Sequence, residues 1–239
     1  MARSKFFLYM SSIFPAVALI GFARSYYFRS YFDFPELPTH LYAHGAALTV
    51  WFVLALIQPW LIKFRRTDVH RNLGYLGILI AILVVVSGVW TLFMRDASEI
   101  DKFPTRAAGN LASLLMFSIC FTLGVIYRRK SAVHKRLMLI ASIPLLAPAM
   151  DRFARIPLFY DFFGPLLAWF PAPTEIAFAT VAFLMLLLSV VTYDLISERR
   201  VLPGTYWGLI SIMIITPAAT YAIINSGAWV AFVHWVAQA

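Results

Sequence analysis

Long apolar runs, separated by short polar stretches, cover most of this chain. Each run has about 20 residues, which is the length an α-helix needs to cross the hydrocarbon core of a bilayer. The seven runs are 6–23, 40–62, 70–94, 108–127, 134–150, 174–196 and 204–225. They do not alternate apolar and polar residues as membrane β-strands do. The pattern therefore predicts an all-α integral membrane bundle of seven transmembrane helices.

The composition supports a membrane protein that forms a single domain, 1–239. The chain is 62% hydrophobic and 13% charged, with a mean hydropathy of +0.79, whereas soluble domains carry roughly 25% charged residues. We expect the second to fifth helices, about 40–150, to form the core. The stretch at about 151–173 is rich in aromatic residues and proline, and we expect a loop there along the outer membrane interface.

The basic residues predict the orientation of the helices. If the N-terminus is cytoplasmic, 13 of the 20 Lys and Arg residues lie on the inner side, which is the side that the positive-inside rule favours. The net charge of +9 then follows from topology and from attraction to anionic lipid, and it needs no nucleic-acid partner. The inner residues are Arg3, Lys5, Lys63, Arg65, Arg66, Arg71, Arg128, Arg129, Lys130, Lys135, Arg136, Arg199 and Arg200.

Two basic loops in the chain are near-copies of each other. Residues 65–73 read Arg-Arg-Thr-Asp-Val-His-Arg-Asn-Leu, and residues 128–137 read Arg-Arg-Lys-Ser-Ala-Val-His-Lys-Arg-Leu, with one extra residue. Each loop follows one apolar run and precedes another, so His70 and His134 begin the third and fifth helices at the same depth. Two such histidines can hold one cofactor together, or they can be ordinary interfacial residues.

A row of small side chains continues from His70 along one face of the third helix. Small residues in membrane helices usually allow another helix to pack closely. The same face can instead leave room for a flat macrocycle beside a histidine ligand, and the sequence leaves both interpretations open. The row consists of Gly74, Gly77, Ala81, Val84 and Gly88.

A second set of histidines lies on the opposite side of the membrane. His40 and His44 are one turn apart at the start of the second helix, a spacing at which two imidazoles can share a zinc ion. Pairs at this spacing also arise by chance. The single cysteine, Cys120, excludes an internal disulfide and a cysteine-based metal cluster. A third zinc ligand would have to come from His234, Glu36, Asp151 or Asp161.

The histidine motifs resemble those of a family of bacterial multi-pass membrane proteins. The family pattern is a histidine at a helix start, then His-Arg-x-x-Gly, then His-[Lys/Arg]-x-x-Met. This resemblance implies a location in the bacterial inner membrane, so the C-terminus, which the basic residues and seven spans place outside, is expected in the periplasm. The matching residues, within about 18–155, are His44 with Gly45, His70-Arg71-Asn72-Leu73-Gly74 and His134-Lys135-Arg136-Leu137-Met138.

More distantly, the chain resembles the cytochrome b561 class, in which histidines from alternate helices hold two b-type haems. The resemblance implies that His70 and His134 hold one haem b, with Arg71 among the cations available to its propionates. His44 corresponds to a member of the second pair, but the fourth helix, 108–127, has no histidine to complete that pair. The chain departs from the class here, and we expect at most one bis-histidine haem.

Three functions of different classes agree with these residues. The first is electron transfer through one b-type haem, with a quinone or partner membrane subunits as redox partners. The second is a cofactor-free integral subunit or small-molecule permease, in which Asp151 and Arg152 form a structural ion pair. The third is an outer-side metal hydrolase that uses His40, His44 and His234. Such an enzyme would resemble the progestin-receptor-like and ceramidase membrane proteins. That resemblance implies a further His-x-x-x-His on the seventh helix, and 212–224 contains no histidine. We take electron transfer as the working prediction.

Overall fold

The computed structural model describes residues 2–32, 34–94, 104–153, 155–169 and 174–238, and this part of the chain is helical without β-strands. Short π-helical turns at Ala23–Tyr27 and Ser211–Ile215 and a 3-10 turn at Pro144–Leu146 extend or join the helices. The α-helices are α1 Ala2–Phe22, α2 Thr39–Lys63, α3 Thr67–Phe93, α4 Pro104–Ile126, α5 Ser131–Ser142, α6 Ala147–Phe153, α7 Pro157–Leu167, α8 Thr174–Glu198, α9 Pro203–Ile210, α10 Thr216–Ile224 and α11 Gly227–Gln238.

Seven helical stretches within the described residues are long and apolar enough to cross a bilayer, so the predicted multi-pass membrane bundle is confirmed. Their apolar surfaces require a lipid bilayer around the molecule. The stretches are Lys5–Tyr27, Thr39–Lys63, Thr67–Phe93, Ala107–Ile126, Ser131–Phe153, Thr174–Glu198 and Pro203–Ile223.

Two of the predicted spans are interrupted rather than continuous. The fifth span breaks into α5 and α6 at Pro144, and the seventh breaks into α9 and α10 just before Pro217. Proline has no backbone N–H to donate to the carbonyl four residues earlier, so the regular hydrogen-bond pattern cannot continue through it. The interruptions let each span change direction within the bundle.

The fifth span occupies the centre of the bundle. In its most apolar window 67% of the residues are buried, whereas the corresponding fraction in the other spans is between 17% and 39%. Neighbouring helices approach it at glycines. A Cβ atom on Gly21 of α1 would lie 2.5 Å from the carbonyl oxygen of Ala149, and one on Gly204 of α9 would lie 2.8 Å from that of Val133. Only a hydrogen side chain allows these helices to pack so closely.

The short basic loops lie together at one end of the bundle, which we call the basic end. Loop 64–66 joins α2 to α3, and loop 127–130 joins α4 to α5. The rings of His70 and His134, which follow these loops, lie side by side. The first turns of α1 are at the same end, because Phe7 packs against Tyr193 near the end of α8. By the positive-inside rule, the basic end is the end expected in the cytoplasm.

The opposite end of the bundle brings together the start of α2 and the end of the fifth span, as the topology predicts. The hydroxyl of Tyr26 donates to the carbonyl of Tyr42 (3.0 Å), and the guanidinium of Arg152 stacks 4.4 Å from the ring centre of Phe22. Both contacts involve the same end of α1. His40 and Asp151 are therefore on the same side of the bundle.

The outer stretch 151–173 is not the loop expected from its composition. Its described part contains the end of α6 and the whole of α7. Phe159 and Phe163 of α7 pack against Phe178 of α8, while Leu158 and Phe162 on the other face are exposed. A short helix that is apolar on both faces can contact the bundle and the membrane interface at once. Residues 170–173 lie outside the described part of the chain.

The C-terminal segment forms a separate helix, α11, instead of extending the last span. Phe232 and Trp235 of this helix contact Phe93 at the outer end of α3, and Trp229 is buried. The segment therefore covers the outer ends of other helices.

Candidate functional site

His70 and His134 occupy equivalent positions and meet at the basic end. Each is the fourth residue of its helix, and its backbone N–H donates to the residue four positions earlier, Arg66 for His70 (3.0 Å) and Lys130 for His134 (2.9 Å). The two ring centres are 6.4 Å apart, and the ring planes are nearly perpendicular at 89°. The predicted side-by-side placement of the two histidines is therefore present in the fold.

The preceding helix fixes the orientation of the His134 ring. Nδ1 of His134 lies 2.8 Å from the carbonyl oxygen of Gly124 on α4. A carbonyl oxygen can only accept, so Nδ1 carries the proton and donates it. In the neutral imidazole, Nε2 then keeps its lone pair. This is the state in which a histidine binds a metal ion.

The preceding helix also contacts His70, through the side-chain amide of Gln58 on α2. With its nitrogen turned toward α3, the amide donates to Nδ1 of His70 and to the His70 carbonyl (3.2 Å), and its oxygen accepts from the N–H of Gly74 (3.3 Å). Turned the other way, the amide oxygen can accept a proton from Nδ1. Only the first orientation also satisfies the His70 carbonyl and the Gly74 N–H, and in it Nδ1 of His70 accepts while Nε2 carries the proton.

The row of small residues on α3 divides into two halves with different surroundings. Near His70, a Cβ atom on Gly74 or Gly77 would have no atom within 4 Å. Further along, Val84 is fully buried and a Cβ on Gly88 would lie 2.7 Å from Leu114. The two interpretations of this row, close helix packing and room for a flat group, thus apply to different parts of α3. The outer half of the row packs closely against other helices, whereas the half next to His70 borders open space.

Aromatic and polar side chains pack together in the bundle on the outer side of the histidine pair. Nε1 of Trp51 donates to the hydroxyl of Ser142 (3.2 Å), and the Trp51 ring packs edge-to-face on Phe117 and Phe121. Trp51 is seven residues from Gln58 on α2, which corresponds to about 10 Å along a helix. These contacts pack α2 against α4 and α5 on the outer side of the histidine pair.

The other predicted ligands lie elsewhere. Nδ1 of His44 is 3.0 Å from the hydroxyl of Ser87. Because His44 is 14 residues before Gln58, it sits roughly 21 Å away along α2. His40 contacts Trp90, with ring centres 6.0 Å apart, and His234 is an exposed residue of α11. Across the described ranges, no three His, Cys, Asp or Glu side chains are placed to hold a metal ion. The predicted third ligand to His40 and His44 is thus missing from that part of the structure.

Several cations surround the histidine pair at the surface. Arg71, the residue after His70, is exposed, and so is Arg129 in the second loop. The Nζ atom of Lys135 lies 4.5 Å from the ring centre of Phe7. Arg66 approaches Asp68 at 4.0 Å, an exposed contact that contributes little. The surface next to the pair is therefore strongly basic.

A buried ion pair that the sequence analysis missed lies close to His134 along α5. Arg136 and Asp194 have no exposed surface, and Nε of Arg136 donates to Oδ1 of Asp194 at 2.7 Å. The other carboxylate oxygen accepts from the hydroxyl of Thr205 (2.6 Å) and the N–H of Leu202 (3.0 Å). Arg136 had been counted among the basic residues of the inner side. The available signal was an acid inside the apolar run 174–196.

The ion pair expected between Asp151 and Arg152 has a different form. Asp151 pairs with Arg155, one helical turn later, at 3.0 Å. Arg152 instead donates to the carbonyl of Pro148 at 2.6 Å. A spacing of four residues brings side chains together on a helix, whereas adjacent residues point in different directions.

No protein-family model, no curated protein and no solved structure matches this chain. The resemblance to the cytochrome b561 class stays a prediction from the motifs. Any function assigned to the histidine pair must therefore come from its geometry.

Proposed function

We propose that this protein is an integral membrane electron-transfer protein in which His70 and His134 hold one b-type haem. The observation that carries the proposal is the spacing of the two rings. A metal ion bound by two imidazole nitrogens at about 2 Å would separate the ring centres by roughly 6 Å, because each centre lies about 1 Å behind its nitrogen. The two ring centres are 6.4 Å apart.

The surroundings of the rings support the same proposal. The Gly124 carbonyl accepts from Nδ1 of His134 and leaves its Nε2 free to bind a metal ion. The Gln58 amide donates to Nδ1 of His70, so His70 would take the matching state only if this amide turned over when the haem binds. Gly74 and Gly77 continue the open side of α3 from His70. The proposal therefore rests on open space beside His70 and on one histidine nitrogen that is ready to bind a metal ion.

Each residue has a defined role in this proposal. His70 and His134 bind the iron, while Gln58 and Gly124 orient the rings. Arg71 is an exposed cation available to the propionates. The haem, when bound, accepts and releases single electrons. We further propose that the electrons are exchanged with a quinone or a partner membrane subunit, in the bacterial inner membrane.

A visible spectrum of the protein tests the proposal. The protein would be expressed with excess haem, purified in detergent, and recorded as a reduced-minus-oxidised difference. We expect one b-type haem per chain in the unaltered protein and loss of its band in His70→Ala and in His134→Ala. His40→Ala and His44→Ala are the matched controls and should keep the band. A protein without a haem band, or a band that survives in His70→Ala/His134→Ala, contradicts the proposal.

A second pair of variants separates haem binding from folding. Gly77→Phe fills the open space beside His70, whereas Gly109→Phe on α4 fills space that is also open but belongs to a different helix. We expect Gly77→Phe to lower the haem content while both variants keep the thermal stability of the protein. Zinc analysis of the same samples checks the alternative that the pair binds a metal ion without a macrocycle.

A further inference from the structure

An apolar groove follows the surface of α8 on the side next to α1. It has a volume of about 420 Å³ and is formed by Phe6 of α1 and by one face of α8. Leu188 and Ile196, which line the groove, expose 61% and 77% of their surface. A groove of this kind on a transmembrane helix faces the hydrocarbon of the bilayer. Its α8 face includes Met185, Leu188, Thr192, Ile196 and Ser197.

The length and position of the groove correspond to one leaflet. Met185 and Ser197 are 12 residues apart, which is about 18 Å of α-helix. The hydrocarbon of one leaflet is about 15 Å thick, half of the full core. Because Ser197 is near the end of α8 at the basic end, the groove occupies the leaflet on that side. The length of the groove is therefore similar to that of one extended acyl chain.

The walls of the groove are fixed by contacts between α1 and α8. The rings of Phe6 and Tyr193 are stacked with their centres 4.3 Å apart. Deeper in the groove, the hydroxyl of Ser189 lies 3.7 Å from the sulfur of Met10. These contacts hold the two helices together, so the groove is a preformed feature of the fold.

Exposed basic residues cluster at the end of the groove that lies at the membrane surface. Lys5 precedes Phe6, and Arg199 and Arg200 follow the end of α8; all three are exposed. Lys135 is also near, because Phe7 contacts both its Nζ atom (4.5 Å) and the Tyr193 ring (5.2 Å between ring centres). Glu198 is the one acid in the 197–200 stretch. The excess of cations favours an anionic headgroup.

We propose that this groove binds one anionic phospholipid of the cytoplasmic leaflet. The acyl chain lies between Phe6 and α8, and the phosphate is bound by Lys5, Arg199 and Arg200. This site is independent of the haem proposal, since it shares no residue with the histidine pair. A bound lipid would connect α1 to α8 next to the buried Arg136–Asp194 pair.

Native mass spectrometry tests the headgroup specificity. The protein would be reconstituted in equal amounts of phosphatidylglycerol and phosphatidylcholine, extracted in mild detergent, and weighed with its retained lipid. We expect one phosphatidylglycerol per chain. The combined Lys5→Gln/Arg199→Gln/Arg200→Gln change should lower its retention by roughly tenfold or more. The control variant, Arg128→Gln/Arg129→Gln/Lys130→Gln, removes the same number of exposed positive charges from loop 127–130. This variant should retain the lipid.

A second pair of variants tests the acyl-chain site. Ile196→Trp fills the groove, whereas Leu195→Trp alters the adjacent exposed residue of α8, which does not line it. We expect lipid to be lost only from Ile196→Trp. Equal retention of the two lipids by the unaltered protein, equal losses in the two charge variants, or retention by Ile196→Trp would each overturn the proposal. The lipid test is independent of the haem test, because none of these outcomes changes the haem spectrum expected for the unaltered protein.

Discussion

The carboxylate of Asp194 and the guanidinium of Arg136 form an ion pair with no exposed surface. The pair joins α5 to α8, and the hydrogen bonds of Asp194 to Thr205 and Leu202 add the start of α9. The guanidinium also lies 5.7 Å from the ring centres of Phe7 and Tyr193. Three helices and the first turns of α1 therefore meet at one buried pair.

Breaking this pair should be costly, because the remaining charge would stay buried without a partner. We expect Asp194→Asn to lower the free energy of unfolding by about 3–5 kcal/mol. The measurement is thermal unfolding in detergent, followed by tryptophan fluorescence. Asp68→Asn is the control, since the Arg66–Asp68 contact is exposed and should be worth less than about 1 kcal/mol. Equal midpoints for the two variants would contradict the prediction.

Glycines should tolerate substitution according to what surrounds them. At Gly21, a Cβ atom would meet the backbone of Ala149 at 2.5 Å, so α1 and α6 must separate in Gly21→Ala. We expect a loss of about 1–3 kcal/mol, the usual cost of overpacking. Gly77→Ala meets no atom within 4 Å and should be neutral or stabilising by up to about 1 kcal/mol. The unfolding temperatures of Gly21→Ala and Gly77→Ala, measured in parallel with the unaltered protein, test both expectations. Equal temperatures for the two variants would contradict them.

Gln58 should influence the reduction potential of a haem bound by His70. In Gln58→Glu, a carboxylate would accept the Nδ1 proton of His70 and make the ring a stronger electron donor. We expect the midpoint potential to be lower in Gln58→Glu than in Gln58→Leu, which offers no acceptor. A redox titration of the haem band measures both changes. Ser87→Ala, which removes the partner of His44, is the control. Unchanged potentials in both Gln58 variants would show that Gln58 does not orient the ligand.

The topology prediction concerns the two ends of the chain. With the basic end in the cytoplasm and seven spans, a reporter fused after Ala239 should lie in the periplasm. Alkaline phosphatase at this position should be active, and green fluorescent protein at the same position should not fluoresce. The opposite result would reverse the orientation derived from the basic loops.

The matched depth of the two histidines could be predicted from the sequence because it depends on local features. Each basic loop ends one helix and begins the next, so a histidine at the same distance from each loop must lie at the same level. Loop 127–130 is one residue longer than loop 64–66, and both histidines are nevertheless the fourth residues of their helices. The extra residue therefore lengthens the loop and does not shift His134 along its helix.

The sequence by itself determined the number of spans, their approximate bounds and the clustering of charge at one end. These properties are one-dimensional, since the bilayer selects each apolar segment by its length and composition. The interruption before Pro217 was not predicted, because the effect of a proline on a membrane helix depends on the helices that pack against it.

Only the tertiary structure decided which faces of the helices meet. It brought Gln58 and Gly124 to the two histidines, left Gly77 open while burying Val84, and paired Arg136 with Asp194. In a soluble protein, the apolar face of a helix identifies the buried side. In a membrane, lipid is as apolar as the core, so apolar residues occur on every face and packing between helices makes the choice.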